Sequence, residues 1–306
     1  MNDASVSPWW LDSDVRRQLW RGIRLDTADF AVGGSSDPAV LDLVTEPFAS
    51  VDDVADRLGE LERLLVQRGD RRSIFLTVYT EMTTHTAREI GDGRFDDAEW
   101  MRRYLVCFAE YYRRAFRDFE TGKYAMVPDP WIVSFGTAVR GDALVVQDAF
   151  LGINAHIVYD LALTLTDVGL DPDRESKYED HRRVDDTLAR LVSVQRELLA
   201  ERYAPGLSQV GERMAGLDER WSASTLRRAR ETAWRAAVVR TDTRWGPIAT
   251  ATDWLLSRTA TGGASLLLSP TVSPSTMRAL HEVEADQFDL ASYVRAFHDR
   301  STAELS

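Results

Sequence analysis

The spacing of apolar residues predicts a chain made of helices. Ser50 can cap a first helix, whose apolar positions recur at intervals of three and four residues at Val54, Leu58, Leu61 and Leu65. Little of the chain alternates between apolar and polar residues as strands require, and no internal repeat is visible. The pattern therefore predicts an all-α fold, with a single large helical bundle-like domain.

Further predicted helices follow along the chain. Their ranges are 73–90, 96–122, 142–168, 175–202, 206–216, 221–240, 245–260 and 286–299. Two stretches containing glycine and proline are predicted to be loops: residues 123–141, with room for one short helix, and residues 262–274, where GGASLLL is a turn. Residues 1–48 show no regular pattern. We therefore expect an irregular N-terminal arm, 1–48, that wraps a helical domain of residues 49–306.

The third predicted helix carries a broad stripe of aromatic side chains. Its members are Trp100, Tyr104, Phe108, Tyr111, Tyr112 and Phe119. We interpret the stripe as a core face, because aromatic residues at helical spacing usually pack against neighbouring helices. The alternative is a wall against which a ligand stacks.

The segment from Asp148 to Leu165 is the most apolar of the chain. A helix that is apolar all round should be surrounded by other helices, so its polar residues are expected inside the protein. Steps of four residues place Asp148, Gly152, His156, Asp160 and Thr164 along one flank, with Tyr159 beside this line and Asn154 pointing elsewhere. A buried imidazole and carboxylate must be hydrogen-bonded, neutralised or metal-bound. Gly152 indicates close packing or room for a ligand.

Composition narrows the classes of partner. There are 37 basic and 49 acidic residues, and the net charge of −12 disfavours nucleic acid and anionic membrane surfaces. No apolar run approaches the roughly 20 residues of a membrane span, and the N-terminus lacks the pattern of a secretory signal. Cys107 is the single cysteine, so neither an internal disulfide nor a cysteine-rich zinc site is expected. These observations predict a cytoplasmic protein without nucleic-acid or membrane partners.

Histidines and acids pair more often than chance predicts. Five histidines have ten positions four residues away, and 49 of 306 residues are acidic, so chance gives about 1.6 such pairs. Four are present: Glu81–His85, His85–Glu89, His156–Asp160 and His181–Asp185. Inward-facing pairs of this kind build metal sites and general acid–base pairs in helical bundles. The candidate metal ligands are Glu81, His85, His156, Asp160, His181 and Asp185, and a divalent metal is the one cofactor that the pattern leaves open.

Several segments resemble domain-of-unknown-function family 5995. They are LGINAHIVYDLALTL at 151–165, WMRRYLVCFAEYYRRAF at 100–116, residues 131–135, YEDHRRVDDTL at 178–188 and, more weakly, the stretch that ends at Trp234. The resemblance covers roughly residues 70–240. It implies a helical fold and points to Asn154, His156, Asp160, Asp180 and Asp185, but it implies no particular reaction.

A second similarity concerns spacing alone. The helical zinc phospholipase C and single-strand nuclease fold has an HxxxD pair followed by HxxxE about twenty residues later. His156 to Asp160 and His181 to Asp185 have a similar spacing. The remaining zinc ligands of that fold have no clear counterparts in this sequence.

Together these features predict an enzyme that acts on a small, partly apolar metabolite by acid–base chemistry: cyclisation, isomerisation or hydrolysis. Histidine titrates near neutral pH, and a neighbouring carboxylate fixes its tautomer. The predicted catalytic residues are His156, Asp160 and Asn154. The predicted substrate-binding residues are Tyr79, Glu81, Tyr112, Trp131, Phe135 and Tyr159.

Three alternatives remain open at this level. One is a metal-dependent hydrolase that uses the histidine and carboxylate candidates as ligands. Another is a non-catalytic protein that binds a small molecule in the same aromatic-lined cavity. The third is a helical interaction module whose buried polar residues only fix helix register. Assembly into a homo-oligomer is compatible with each of them.

Overall fold

The computed structural model describes residues 9–33, 37–207, 223–243, 246–269 and 274–305. The fold is all-α, as predicted, and no strand occurs in these ranges. The helices, numbered in chain order, are α1 (Ser13–Arg24), α2 (Pro38–Val44), α3 (Val51–Gln67), α4 (Ser73–Gly91), α5 (Ala98–Glu120), α6 (Asp129–Arg140), α7 (Val145–Asn154), α8 (Leu161–Val168), α9 (Arg174–Leu207), α10 (Ala223–Asp242), α11 (Gly246–Leu268), α12 (Pro274–Gln287) and α13 (Leu290–Leu305). A π-helical segment, Ala155–Asp160, joins α7 to α8.

The predicted cap of α3 is confirmed, and α5 begins with a side-chain cap of the same kind. The Ser50 hydroxyl accepts a hydrogen bond from the backbone N–H of Asp53, and Val54, Leu58, Leu61 and Leu65 of α3 are all buried. The Asp97 carboxylate accepts one from the Trp100 N–H at the start of α5. Each cap satisfies a backbone donor that the first helical turn leaves without a partner.

The most apolar helix runs through the middle of the fold. Helices α4, α6 and α11 pack against α7, and α5 and α10 pack against α8. The continuous stretch Val145–Val168 is long and apolar enough to cross a membrane by length and composition, which corrects the expectation that no apolar run approaches the length of a span. Its most apolar window is 78% buried within the fold. That burial is typical of a core helix, and in the described structure this stretch lies in the core.

Three stretches are more helical than predicted. Most of the expected loop 123–141 is α6, whose Pro130 lies in the first turn, where a missing N–H breaks no hydrogen bond. The expected turn at 262–268 is the end of α11, and α12 lies where no helix was predicted. The predicted helix 206–216 falls mostly outside the described residues. In these cases tertiary packing outweighs local glycine and proline preferences.

The N-terminal arm is also more regular than predicted, because it contains α1 and α2. Helix α1 packs along α11 at a close approach of two glycines. A Cβ on Gly262 would lie 1.7 Å from the carbonyl oxygen of Gln18, and one on Gly22 would lie 1.8 Å from that of Arg258. Glycine is therefore required at this crossing, which explains why α11 contains Gly262 in its interior.

Helix α13 is joined to α3 and α4 by a partly buried ion cluster. The His298 Nε2 lies 2.7 Å from Glu62 Oε1, and its Nδ1 lies 2.6 Å from Glu81 Oε1. Burial lowers the pKa of His298, but the hydrogen bonds with Glu62 and Glu81 outweigh that effect and raise this pKa to about 10. The imidazolium form therefore holds the C-terminal helix in place at neutral pH.

The Gly262→Ala variant should destabilise the protein by about 1–3 kcal/mol, because the added methyl group meets a backbone carbonyl that cannot rotate away. Urea unfolding followed by circular dichroism measures the loss. Gly91→Ala is the matched control, since a Cβ there meets nothing within 4 Å. Equal free energies of unfolding for the two variants would contradict this account of the α1–α11 contact.

The His298→Gln variant should be less stable than the wild type at about pH 6, and the difference should shrink as the pH approaches 10. The pKa of His298 is higher in the folded protein than the unfolded value of 6.5. Its ion pairs therefore contribute their full stabilisation below pH 6.5, and this stabilisation is lost as the pH rises through the folded-state pKa. Urea unfolding at several pH values tests this. His281→Gln, on α12, is the control for replacing a histidine outside this ion cluster. A His298→Gln difference that grows with pH would contradict the assigned ion pairs.

Candidate functional site

A cavity of about 80 Å³ lies between α4, α5, the π segment, α9 and α10. Most of its wall is apolar: Phe75 and Tyr79 come from α4, Phe108 from α5, and Val184 and Leu188 from α9. Its polar groups include His156 and Arg230. The combination of an apolar wall and a few polar groups is typical of small-molecule sites.

The His156–Asp160 pair is present and buried, as predicted. His156 is 2% exposed and Asp160 is 0% exposed. The Nδ1 of His156 lies 2.9 Å from Asp160 Oδ2, and the indole Nε1 of Trp131 donates to the same oxygen at 2.8 Å. Among the described residues, His156 Nε2 has no hydrogen-bond partner. We therefore assign the proton to Nδ1, which leaves the lone pair of Nε2 available on a residue that lines the cavity.

Aromatic rings fix the orientation of the imidazole. The ring of His156 stacks on Phe108 with centroids 3.5 Å apart and planes 9° apart, and Tyr79 meets it edge-on at 4.5 Å. Phe108 therefore packs against a face of the imidazole, and the contact with Tyr79 is edge-on. The aromatic stripe of α5 is therefore both core and cavity wall at Phe108.

Burial sets the charge state of the pair. Desolvation lowers the pKa of His156, and the hydrogen bond with Asp160 opposes the shift only in part. Desolvation likewise raises the pKa of Asp160, against the hydrogen bonds from His156 and Trp131. The imidazole is therefore neutral at pH 7, which is the form that can accept a proton.

The local backbone brings these groups to the cavity. His156 and Asp160 both lie in the π segment, a feature frequent at functional sites. One turn before His156, a Cβ on Gly152 would lie 2.3 Å from the ring of Phe75. Of the two interpretations of Gly152, close packing is the one observed, and it allows Phe75 to reach the cavity wall.

Arg230 forms the second polar group of the cavity and is 3% exposed. Its Nε donates to Asp185 Oδ1, and its Nη2 donates to the backbone oxygen of His181 at 2.5 Å. The same Nη2 lies 3.3 Å from His181 Nδ1, which is also 3.1 Å from the Tyr104 hydroxyl. None of these hydrogen bonds uses Nη1.

The remaining members of the predicted polar line are not part of the site. The Asp148 carboxylate accepts a hydrogen bond from Arg71 at 2.6 Å, and burial raises its pKa to about 7. Thr164 bonds to the backbone of Asp160. Asn154 donates to the backbone oxygen of Ala260, which makes it an interhelical contact rather than a neighbour of His156. Tyr159 is half-buried and does not line the cavity.

The predicted metal candidates lie in separate places. Glu81 pairs with His298 instead of His85, and His85 Nε2 lies 3.6 Å from Glu89. His181 and Asp185 contact Arg230 rather than His156. In the part of the chain that the structure describes, no group of three or more His, Cys, Asp or Glu side chains is arranged to hold a metal ion. The spacing shared with the zinc phospholipase fold therefore does not correspond to one shared site here.

Of the other predicted substrate-binding residues, only Tyr79 lines the cavity. Tyr112, Trp131 and Phe135 form an aromatic layer behind the imidazole, with Trp131 and Phe135 stacked at 4.8 Å. Trp131 is fully buried in α6 and does not lie in a loop as predicted. Asp180 accepts backbone hydrogen bonds from Asp96 and Asp97 before α5, which is a structural role.

Sequence reasoning missed two kinds of residue at the site. Arg230 is one of several arginines on α10, and no local spacing relates it to His156. Thr83 and Thr86 line the cavity, although neither was among the predicted site residues. The one available indication was the weak resemblance of the stretch ending at Trp234, which includes Arg230.

Comparison with known proteins gives one match. The model of the family described as "Family of unknown function (DUF5995)" matches residues 51–270, which include the cavity with His156 and Arg230. No curated protein and no solved structure matches this chain. Because the family model covers more than half of the sequence, the chain belongs to the DUF5995 family.

Proposed function

We propose that this protein is an enzyme that performs acid–base chemistry on a small, partly apolar molecule, with His156 as the group that exchanges a proton. One observation carries the proposal: His156 Nε2 has no partner among the described residues, and His156 lines a cavity while Asp160 holds its Nδ1. Most buried polar atoms have a hydrogen-bond partner, so an unpartnered ring nitrogen on a residue of the cavity wall indicates a place for a ligand.

The geometry suits a general base. The lone pair of Nε2 would accept a proton from the bound molecule, and the imidazolium that forms would be stabilised by the carboxylate of Asp160. Trp131 would hold that carboxylate in place through its indole N–H. The same imidazolium would then return the proton. This pair would therefore be able to catalyse cyclisation, isomerisation or hydrolysis.

The metal-dependent alternative has less support, because its predicted ligands lie apart in the described residues. Non-catalytic binding is favoured by one observation, the largely apolar wall of the cavity, which would stabilise a ligand through burial alone. Turnover separates binding from catalysis. The cytoplasmic location and the absence of membrane and nucleic-acid partners stay predictions.

The His156→Gln variant should lose about 10²-fold or more of any turnover, as general bases contribute roughly 10²–10⁴-fold. The assay follows small esters, epoxides and ketones by proton NMR in D₂O, where hydrolysis, isomerisation and C–H exchange are all visible. His85→Gln, a histidine outside the cavity, is the control and should retain full activity. A folded His156→Gln protein as active as the wild type would contradict the proposal, and a wild type without turnover would favour the binding protein.

The rate governed by His156 should stay constant through neutral pH and decline only below about pH 6.5, the ordinary pKa of histidine. Burial lowers the pKa of this imidazole, so its basic form persists into the acid range. The pH profile of kcat/KM checks this. An acid limb with a midpoint above 6.5 would show that another group controls the rate.

A further inference from the structure

The cavity has a second polar end that the acid–base proposal does not use. Arg230 is 3% exposed and lines the cavity. Its hydrogen bonds with Asp185 and His181 engage Nε and Nη2 but not Nη1, and the Tyr104 hydroxyl is a further partner of the guanidinium. A buried guanidinium held in this way has its charge and orientation fixed before a ligand arrives. It can donate to an acceptor oxygen inside the cavity.

The charges around the cavity favour a neutral ligand. Asp185 balances the charge of Arg230 through a direct ion pair, and burial keeps His156 neutral. A carboxylate would therefore add an uncompensated negative charge to an apolar space close to Asp185. A neutral carbonyl oxygen gains a charge-assisted hydrogen bond without that cost.

The two polar ends lie about one helical turn apart along α5. Phe108 stacks on His156, and Tyr104, four residues earlier, bonds to the cluster of Arg230 and His181. The ring centroids of Tyr104 and Phe108 are 6.1 Å apart. The cavity of about 80 Å³ is smaller than the roughly 150 Å³ of an engineered cavity that binds benzene. These dimensions suit a short-chain molecule.

We propose that this site takes a short-chain, neutral carbonyl compound, whose oxygen Arg230 binds while His156 removes a proton from the carbon next to the carbonyl. The inference rests on the proposed function, because it uses the same Nε2. The electron pair of the broken C–H bond forms the C=C bond of an enolate, and the C=O π pair moves onto the oxygen bound by Arg230. The proton on Nε2 then returns to carbon, so no oxidant or co-reactant is needed.

Three probes of equal size test the ligand class. They are 2-butanone, propionate and 2-methyl-1-butene: a neutral carbonyl compound, a carboxylate and a hydrocarbon. Binding to the full chain is followed by NMR of ¹³C-methyl-labelled methionine and isoleucine, since Met82, Met101, Ile153 and Ile157 line the cavity. We expect 2-butanone to bind about tenfold more tightly than either analogue, the gain typical of a hydrogen bond to a charged group.

The double variant Arg230→Met with Asp185→Leu should abolish the preference for the ketone over the alkene. Removing both partners avoids an unpaired buried charge, which would threaten folding. Arg227→Met is the matched control, because Arg227 lies 3.9 Å from Asp185 but is 53% exposed and does not line the cavity. This control should retain the preference. If the double variant does not fold, the relative affinities of the three probes for the wild type still test the predicted ligand class.

Equal binding of ketone and alkene, tighter binding of propionate, or no methyl shift with any probe would overturn the inference. Loss of the α-protons of 2-butanone in D₂O provides the separate readout for His156, and His156→Gln should abolish it. If the protein prefers the ketone in a way that depends on Arg230 but does not exchange its α-protons, His156 is not a general base and the carbonyl-binding role of Arg230 is retained. Exchange that depends on His156 but persists unchanged in the double variant would support the proposed function and overturn the role of Arg230.

Discussion

The carboxylate of Asp160 is the constraint on which the site depends. It has no exposed surface, and an ionised carboxylate in such surroundings is tolerated only with hydrogen-bond donors beside it. The indole of Trp131 can only donate, and it meets the same oxygen as His156 Nδ1. The two donors together determine the tautomer of the imidazole, and the tautomer determines that Nε2 is the basic nitrogen.

Several helices cooperate to meet this constraint. The π segment carries the histidine and the carboxylate, α6 supplies Trp131, and α5 supplies the ring of Phe108 that lies flat on the imidazole. Gly152 allows Phe75 to approach from α4. The site is therefore a property of the packed core rather than of a loop, and it is positioned with the rigidity of that core.

The sequence was sufficient for the fold class, the central helix and the His156–Asp160 pair. Each depends on local spacing, which helical geometry converts directly into contact. Spacing failed where the choice of partner depends on packing between distant segments. Glu81 was expected to pair with His85 or to join the site, yet it binds His298, 217 residues away. Likewise, Trp131 was expected to bind substrate, but it donates a hydrogen bond to Asp160 from behind the imidazole.

Three buried or half-buried histidines show what separates a reactive imidazole from a structural one. Both ring nitrogens of His298 meet carboxylates, so it is held as a cation and has no free lone pair. His181 has an unpartnered Nε2 among the described residues, but burial and the charge of Arg230 beside its Nδ1 lower its pKa, and His181 does not line the cavity. His156 alone of these three combines one carboxylate, one open nitrogen and a place in the cavity wall. An i,i+4 carboxylate is common to His156 and His181, so the sequence pattern identifies a pair, whereas the open nitrogen and the space beside it identify a site.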